Sequence, residues 1–234
     1  MSTMTTEIDT LYKARRGRVD FVDVPELTYL VMEGRGDPSS PEFREAVQAL
    51  YAVSYGAHFI VKKERGEAPR VMPLEGLWWV DDPRQEDIIT AIALGAATPA
   101  DTDRAAWRWR AMIAQPPPID EAVVAQAKGQ ARAKAVPALD RLHFQRWREG
   151  LCAQTLHVGP YADESPTIVR LHEALTAAGY RPRGRHHEIY LGDPRRSAPD
   201  KLRTLLRHPI EPADAQPDAQ PDAEPGAQAG ETAG

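Results

Sequence analysis

The segment from residue 184 to residue 196 alternates large apolar and polar side chains, a pattern that predicts a half-buried β-strand. Successive side chains of a strand point to opposite faces, so Glu188 shares one face with His186 and Tyr190 while His187 points the other way. Burial of a carboxylate is costly unless the group is paired, hydrogen-bonded or protonated. A glutamate beside a phenol therefore indicates a ligand pocket. The alternative is a surface glutamate on an open sheet face.

The chain is predicted to contain the same structural unit twice. The segments around Ser40 and Ser165 align without a gap, and each follows a strand-like run and precedes apolar residues at helical spacing. Each helix is predicted to begin at its Ser-Pro pair, with the serine as N-cap. The helices are predicted to end at Tyr55 in the first half and Tyr180 in the second.

Later parts of the two halves also match. The run that contains Leu77 and Trp79 aligns with the run that contains Glu188 and Tyr190, so that Leu77 corresponds to Glu188 and Trp79 to Tyr190. Each half then closes with one more strand before a proline. Each half is thus predicted to be a strand, a helix and two or three further strands.

A unit of this kind cannot cover its own sheet, so the two halves are expected to pack around a pseudo-twofold axis. The predicted fold is α+β, with a shared antiparallel sheet, helices on one side and a ligand groove. We place a domain at residues 1–210, with half-repeats at about 19–118 and 141–210 and a helical linker at about 119–140 that begins after Asp120. The alternative is an α+β domain whose internal matches arise by chance.

The last part of the chain differs in composition. Residues 211–234 hold no aromatic and no aliphatic side chain larger than alanine, and they carry six acids and no base, so this tail is predicted to be disordered. Without the tail the net charge of −5 becomes +1, which argues against nucleic-acid binding. A single cysteine, Cys152, excludes an internal disulfide, and no apolar stretch approaches the length of a membrane span. We therefore expect a cytoplasmic protein, a monomer without a nucleic-acid or membrane partner. Residues 81–103 are expected to be a long loop or a short helix.

Tryptophans supply candidate walls for the pocket. Trp107 and Trp109 share one face of a predicted strand, and Trp78 and Trp79 lie on opposite faces of another. Large aromatic rings near a carboxylate favour a flat, hydrophobic and sometimes cationic ligand. The alternative is that these rings only pack in the core.

Other chemistries have less support. His186 and Glu188 could both bind a metal ion, but no third ligand stands at a recognisable spacing, so we predict no metal site. Phosphate-binding loops and a serine nucleophile motif are absent from the sequence, so no cofactor is expected. His172 lies in the apolar stripe of the second helix and is predicted to be a partly buried histidine with satisfied hydrogen bonds.

Several motifs resemble one known family. The runs His157–Tyr161, Glu164–Ile168, His186–Arg196 and Arg207–Ile210, together with Pro73–Trp79 and Trp107–Trp109 in the first half, are similar to stand-alone GyrI-like small-molecule-binding proteins. The similarity runs from about residue 10 to about residue 210. It implies a duplicated SHS2-type fold around a central groove, with Glu188 as the family glutamate at the pocket floor. No helix-turn-helix segment precedes residue 20, which favours a free binding or detoxifying protein over a transcription factor.

Two functions follow from this resemblance. Some stand-alone members are cyclopropanoid cyclopropyl hydrolases, which open the strained ring of DNA-alkylating natural products, so the first hypothesis is a cofactor-independent hydrolase that confers drug resistance. The second is a protein that only binds or sequesters aromatic cations. The catalytic candidates are Glu188, Tyr190 and Tyr161. The ligand-binding candidates are Trp78, Trp79, Trp107, Trp109, Met112, Glu164 and His186.

Overall fold

The computed structural model describes residues 8–80 and 103–215. In chain order, its helices and strands are β1 (Val19–Arg35), α1 (Pro41–Arg65), β2 (Leu74–Val80), β3 (Trp107–Ala114), α2 (Glu121–Ala133), β4 (His143–Val158), α3 (Ser165–Ala177), β5 (Tyr180–Pro182), β6 (His186–Tyr190) and β7 (Arg203–Pro212). The first half is strand, helix, strand, strand, and the second half repeats this order with the short β5 added. The predicted α+β fold with a duplicated unit is confirmed, and α2 connects the two halves.

The sheet closes on itself. All of its pairings are antiparallel, in the order β4-β1-β3-β2-β6-β7, and β4 also pairs with β7, so these six strands form a barrel. The short β5 adds to the end of β7. The halves meet at two seams, β1 against β4 and β2 against β6. Closure removes the exposed strand edges that an open sheet would leave.

The first helix begins as predicted and ends later. The Oγ atom of Ser40 accepts a hydrogen bond from the Phe43 N–H at 3.2 Å, which confirms the N-cap. The apolar stripe continues past Tyr55, so α1 extends to Arg65 and stops at Gly66, whose φ of 80° is left-handed. The helix between the halves also begins as predicted, since the carboxylate of Asp120 accepts a hydrogen bond from the Val123 N–H at 3.0 Å.

The second helix begins differently from the prediction. Ser165 is the first residue of α3, and the N-cap position belongs to Glu164, whose side chain makes no capping hydrogen bond. The helix ends at Ala177, and Tyr180 is the first residue of β5 rather than the end of the helix. The proposed serine cap and tyrosine end of this half were therefore wrong. The side chain of Glu164 is turned away from the helix end into a cavity, where it lies near Glu188.

The register of β6 against β2 decides which side chains share a face. Gly76 lies opposite Glu188, and Trp78 lies opposite His186. Residues directly opposite each other in an antiparallel pair point to the same side, so Leu77 and Glu188 point to opposite sides. Glu188 pairs with Leu206 on β7, and Leu74 pairs with Ile113, the counterpart of Leu206 on β3. Glu188 therefore corresponds to Leu74, so the predicted correspondences of Leu77 with Glu188 and of Trp79 with Tyr190 were wrong by three residues.

The barrel interior contains a buried charge network formed by Glu75, Glu149, His187 and Arg207. The imidazole of His187 is fully buried, with Nδ1 2.8 Å from Glu149 Oε1 and Nε2 3.0 Å from Glu75 Oε2. Arg207 Nη1 lies 3.1 Å from Glu149 Oε2. Two acids and two bases thus balance within the interior, which a buried network requires.

The chain before β1 packs against the buried charge network. Residues 8 to 11 form a helical turn, and the Leu11 carbonyl accepts a hydrogen bond from Arg207 at 2.6 Å. The hydroxyl of Tyr12 donates to Glu75 Oε1 at 2.6 Å. The N-terminal segment therefore supplies polar partners that the buried charges need.

The predicted boundary of the disordered tail was wrong. Strand β7 continues to Pro212, which pairs with Tyr180, and Glu211 forms an ion pair with Arg181 at 2.8 Å. The Ala213 N–H donates to the Gly179 carbonyl at 2.9 Å. Strand pairing uses main-chain groups and needs no large side chain, so the composition of residues 211–215 did not reveal it. Residues 216–234 and residues 81–102 lie outside the described part of the chain.

We expect truncation after Ala215 to leave the free energy of unfolding nearly unchanged, because residues 216–234 carry no apolar side chain larger than alanine. Truncation after Ile210 should lower it by about 1 to 2 kcal/mol, because it removes the pairing of β5 with β7. Urea denaturation of the two truncated proteins measures the difference. Equal stability of both would show that the β5 pairing contributes nothing.

We expect stability to fall as the pH rises from about 6.5 to about 9. Burial opposes the charge on His187, but Glu149 and Glu75 outweigh it and raise its pKa to about 9. Because the unfolded chain loses this proton near pH 6.5, folding takes up a proton between the two values. The free energy of unfolding should then drop by up to about 1.4 kcal/mol per pH unit in this range.

Urea denaturation across this pH range tests the expectation. His143→Gln removes an exposed histidine and should leave the slope unchanged. A free energy of unfolding that stays flat or rises between pH 6.5 and 9 would contradict a charged His187.

Candidate ligand groove

A groove of about 2330 Å³ lies between α1 and α3, above the seam where β2 pairs with β6. Each helix packs on the strands of its own half, so the seam between the halves is left uncovered at the centre. Phe43, Tyr51 and Tyr55 line the groove from α1, and Ile168 and His172 line it from α3. Eight of the predicted site residues border it: Trp78, Trp79, Trp107, Tyr161, Glu164, His186, Glu188 and Tyr190.

The carboxylate of Glu188 is oriented by two hydrogen bonds in series. The Tyr190 hydroxyl donates to Glu188 Oε2 at 2.8 Å, and Trp78 Nε1 donates to the Tyr190 hydroxyl at 3.1 Å. Gly76 lies directly opposite Glu188 and makes room for this chain, because a Cβ atom there would lie 2.9 Å from Trp78 Nε1 and 3.2 Å from the Tyr190 oxygen. The absence of a side chain at Gly76 thus permits the close approach of the indole and the phenol.

The second oxygen of Glu188 faces an imidazole. Glu188 Oε1 lies 3.4 Å from His186 Nε2, and the two side chains are 18% and 14% exposed. The carboxylate is therefore largely shielded but still reaches the groove. A water molecule or a ligand atom can approach the groove side of Glu188 and meet a preoriented acceptor.

Glu164 places a second carboxyl group beside the first. It is 6% exposed, and its Oε1 atom has no hydrogen-bond partner among the described residues. Burial, and next the charge of Glu188, raise the pKa of Glu164 well above its usual range, although nearby Thr204 acts in the opposite direction. Burial and the neighbouring negative charge of Glu188 therefore favour the protonated form of Glu164.

Two phenols complete the polar part of the groove. The rings of Tyr161 and Tyr190 meet edge to face at 5.7 Å. Burial, and next the charge of Glu164, raise the pKa of Tyr161 to about 12, while burial and Glu188 raise that of Tyr190 well above its usual range. Both phenols thus keep their protons at neutral pH and act as hydrogen-bond donors.

Aromatic rings form the apolar walls. Trp78 and Trp107 meet at nearly right angles with ring centroids 5.9 Å apart, and Phe43 lies 5.5 Å from Trp78. Trp79 points away from the Trp78 face but borders the groove, and the Arg185 guanidinium lies 3.7 Å from its ring centroid. These rings offer flat surfaces to an aromatic ligand.

The structure places two predicted ligand-binding residues elsewhere. Trp109 is fully buried beneath α1, with its ring edge-on to Phe43 at 5.0 Å, and it packs so closely on Gly34 that a Cβ atom there would lie 2.1 Å away. Met112 pairs with Glu75 and points into the barrel interior. Trp109 is therefore a core residue, and Met112 is separated from the groove by the sheet.

Sequence reasoning overlooked the histidines at one end of the groove. His208 from β7 lies between rings from two other elements, 4.9 Å from His172 and 5.4 Å from His186 by ring centroids. The prediction that His172 has satisfied hydrogen bonds was wrong for one atom, because its buried Nε2 has no partner among the described residues. No sequence signal joins these three positions, since the barrel brings them together from distant parts of the chain.

Within residues 8–80 and 103–215, no group of three or more His, Cys, Asp or Glu side chains could hold a metal ion. In the same residues no helix is long and apolar enough to cross a membrane.

Residues 18–211 match the model of the GyrI-like small-molecule-binding domain. The chain belongs to this family. The family binds small molecules, and the aromatic groove between the two halves is the candidate site for such a ligand. None of the curated protein sequences matches the chain.

Solved structures from Listeria innocua are similar in sequence and fold. An uncharacterised conserved protein is 32% identical, with a TM-score of 0.74 over 89% of this chain and 98% of its own. A protein described as a hydrolase is also 32% identical, with a TM-score of 0.71 over 89% of this chain and 98% of its own. A second structure described as a hydrolase is 31% identical, with a TM-score of 0.71 over 88% and 98% of the two chains.

The two tryptophans of β3 should respond differently to truncation. Trp107→Ala should weaken binding of the apolar fluorophore N-phenylnaphthylamine by roughly 1 to 3 kcal/mol, because Trp107 borders the groove. Trp109→Ala should instead lower the free energy of unfolding by about 3 to 5 kcal/mol, because it leaves a cavity under α1. Fluorescence titration and urea denaturation of both variants separate these effects. The reverse assignment would place Trp109 in the site.

Proposed function

We propose that this GyrI-like protein is a cofactor-independent hydrolase that opens electrophilic cyclopropane rings carried by flat aromatic compounds, and so detoxifies DNA-alkylating natural products. The observation that carries the proposal is the pairing of Glu188 with Glu164 in one aromatic groove. Glu188 is held as a hydrogen-bond acceptor by Tyr190, and burial raises the pKa of Glu164, which favours its acid form. A base and an acid side by side are what addition of water requires. The Listeria innocua proteins described as hydrolases add support from sequence and fold.

In the proposed reaction, Glu188 takes a proton from a water molecule. The water oxygen then forms a bond to the unsubstituted ring carbon of the cyclopropane. The strained carbon–carbon bond breaks, and its electron pair moves into the conjugated carbonyl, which becomes a phenolate. Protonation of that phenolate completes the net addition of one water.

The roles of the two phenols differ from each other. The proton of Tyr190 is already donated to Glu188, so Tyr190 orients the base instead of binding the substrate carbonyl. Tyr161 is 39% exposed and borders the groove, so we assign to it the hydrogen bond to the oxygen on which charge develops. Glu164 is the second acid that can return a proton to that oxygen.

The second candidate function is capture of aromatic cations without turnover. It is favoured by the same two carboxyl groups, because a cation bound beside them would lower the pKa of Glu164 and release its proton. Isothermal titration of an aromatic quaternary ammonium compound in two buffers of different ionisation enthalpy measures that release. Hydrolysis of a neutral cyclopropane would instead proceed without any cationic group on the ligand.

Glu188→Gln tests the proposal. The amide keeps the size of the side chain but cannot accept a proton from water, so turnover should fall on the order of 100-fold or more while a neutral substrate still binds. The assay incubates the protein with a duocarmycin-like cyclopropane and measures by mass spectrometry the gain of one water.

Glu45→Gln is the matched control, because Glu45 is exposed on α1 and does not border the groove. It should hydrolyse at the wild-type rate. Hydrolysis by Glu188→Gln at the wild-type rate would remove Glu188 from the reaction, and absence of product from the wild-type protein would leave the binding function.

A further inference from the structure

The imidazole cluster of His172, His186 and His208 forms one end of the groove, and each ring comes from a different element. His172 is 7% exposed and His208 is 8% exposed, yet both border the cavity. Three histidines packed in contact at a cavity wall are an uncommon way to fill space, because each carries two polar nitrogens that need partners.

Two of those nitrogens lack partners. His172 Nε2 and His208 Nδ1 are buried and make no hydrogen bond within the described part of the chain. A buried polar atom without a partner costs about 1 to 3 kcal/mol, which a ligand group in the cavity can recover. The unsatisfied nitrogens thus point to a ligand and not only to packing.

The pKa values of His172 and His208 determine how these rings respond to an anion bound beside them. Burial, and next the neighbouring His186, lower the pKa of His172 to about 4, and the pKa of His208 is lowered well below its usual range for the same reasons. The rings of His172 and His208 are neutral because a cation at either position would be both buried and next to other imidazoles. A bound anion would offset both effects and allow a ring to take up a proton.

A guanidinium group also borders the groove. Arg183 borders the groove and donates to the main-chain oxygens of Glu149 and Ile210 at 2.7 and 3.2 Å. It forms no ion pair within the described residues, so no carboxylate there neutralises its charge.

We propose that the imidazole cluster is an anion-recognising subsite, which binds the carboxylate, sulfonate or phenolate of an aromatic ligand whose rings lie along the groove. The proposal does not depend on the hydrolysis proposed at Glu188, although His186 of the cluster lies 3.4 Å from that carboxylate. It would orient an asymmetric ligand, since Glu188 repels the anionic end and the imidazole cluster accepts it.

Other titratable groups border the same space and need to be separated from the cluster. They are Glu188 on β6, Glu164 and the exposed Glu173 on α3, Arg183 and Arg185 before β6, and His187 on the opposite face of β6. Protonation of the carboxylates at low pH would also favour an anion. Variants of both kinds of group are therefore needed.

The test uses two fluorophores that differ by one group, the anion anilinonaphthalene sulfonate and neutral N-phenylnaphthylamine. Binding of the sulfonate should take up protons, measured by isothermal titration in two buffers of different ionisation enthalpy, and should weaken several-fold between pH 5 and pH 7.5. Binding of the neutral fluorophore should show neither effect. Sulfonate binding without proton uptake would overturn the proposal.

His172→Gln and His208→Gln should each weaken sulfonate binding by about 5-fold or more and flatten its pH dependence, because each removes one titrating ring. Both should change the affinity for the neutral fluorophore much less than the affinity for the sulfonate, which also shows that the groove is folded. His143→Gln, which changes an exposed histidine outside the groove, is the matched control and should behave as wild type.

Glu188→Gln and Glu164→Gln separate the acids from the imidazoles. Under the proposal, each of these variants keeps the proton uptake that accompanies sulfonate binding. Loss of the pH dependence in a glutamate variant, with full retention in both histidine variants, would assign the effect to the carboxylates and overturn the anion subsite.

Discussion

The buried ion pairs of His187 fix the arrangement on which the groove depends. Its ring lies between Glu149 and Glu75 in the barrel interior, at 2.8 and 3.0 Å. Strand β6 has only five residues, and a slip of one residue would expel His187 from these carboxylates and bury Glu188 among them. The carboxylates of Glu75, Glu149 and Glu188 would then be buried together without the charge of His187. The network therefore specifies a single register. The same short strand therefore carries a structural ion on one face and the proposed reactive carboxylate on the other.

Duplication explains why the face that carries Glu188 is open. Each half provides one helix that covers its own strands, and the seam of β2 and β6 lies between the two helices. The seam is also where Gly76 lies opposite Glu188. A side chain at that position would displace the indole of Trp78 and the phenol that holds the carboxylate. The first half thus provides the space at Gly76, and the second half provides the carboxylate of Glu188. Neither half could form this site alone.

The sequence revealed those features that depend on local periodicity. Alternation placed Glu188 beside Tyr190, and the Ser-Pro pair located the start of α1 at Ser40. Features that depend on contacts between distant segments were not visible. Trp107 and Trp109 share a face, but only the position of α1 decides that one borders the groove and the other is core. Closure of the barrel through β4 and β7, and with it the burial of Glu164 and the gathering of three histidines, required the complete topology.

The groove separates two kinds of buried polar group along its length. Burial and the charge of Glu188 oppose the ionisation of Glu164, and burial and the neighbouring imidazoles oppose the protonation of His172 and His208. A cationic ligand group beside Glu164, or an anionic group beside the imidazoles, would offset these effects and favour the charged form of its neighbour. His186 contacts both ends, at 3.4 Å from Glu188 and 5.4 Å by ring centroids from His208. His186 thus brings the proposed anion subsite into contact with the proposed reactive carboxylate, so charge bound at the subsite would act on Glu188 across a single ring.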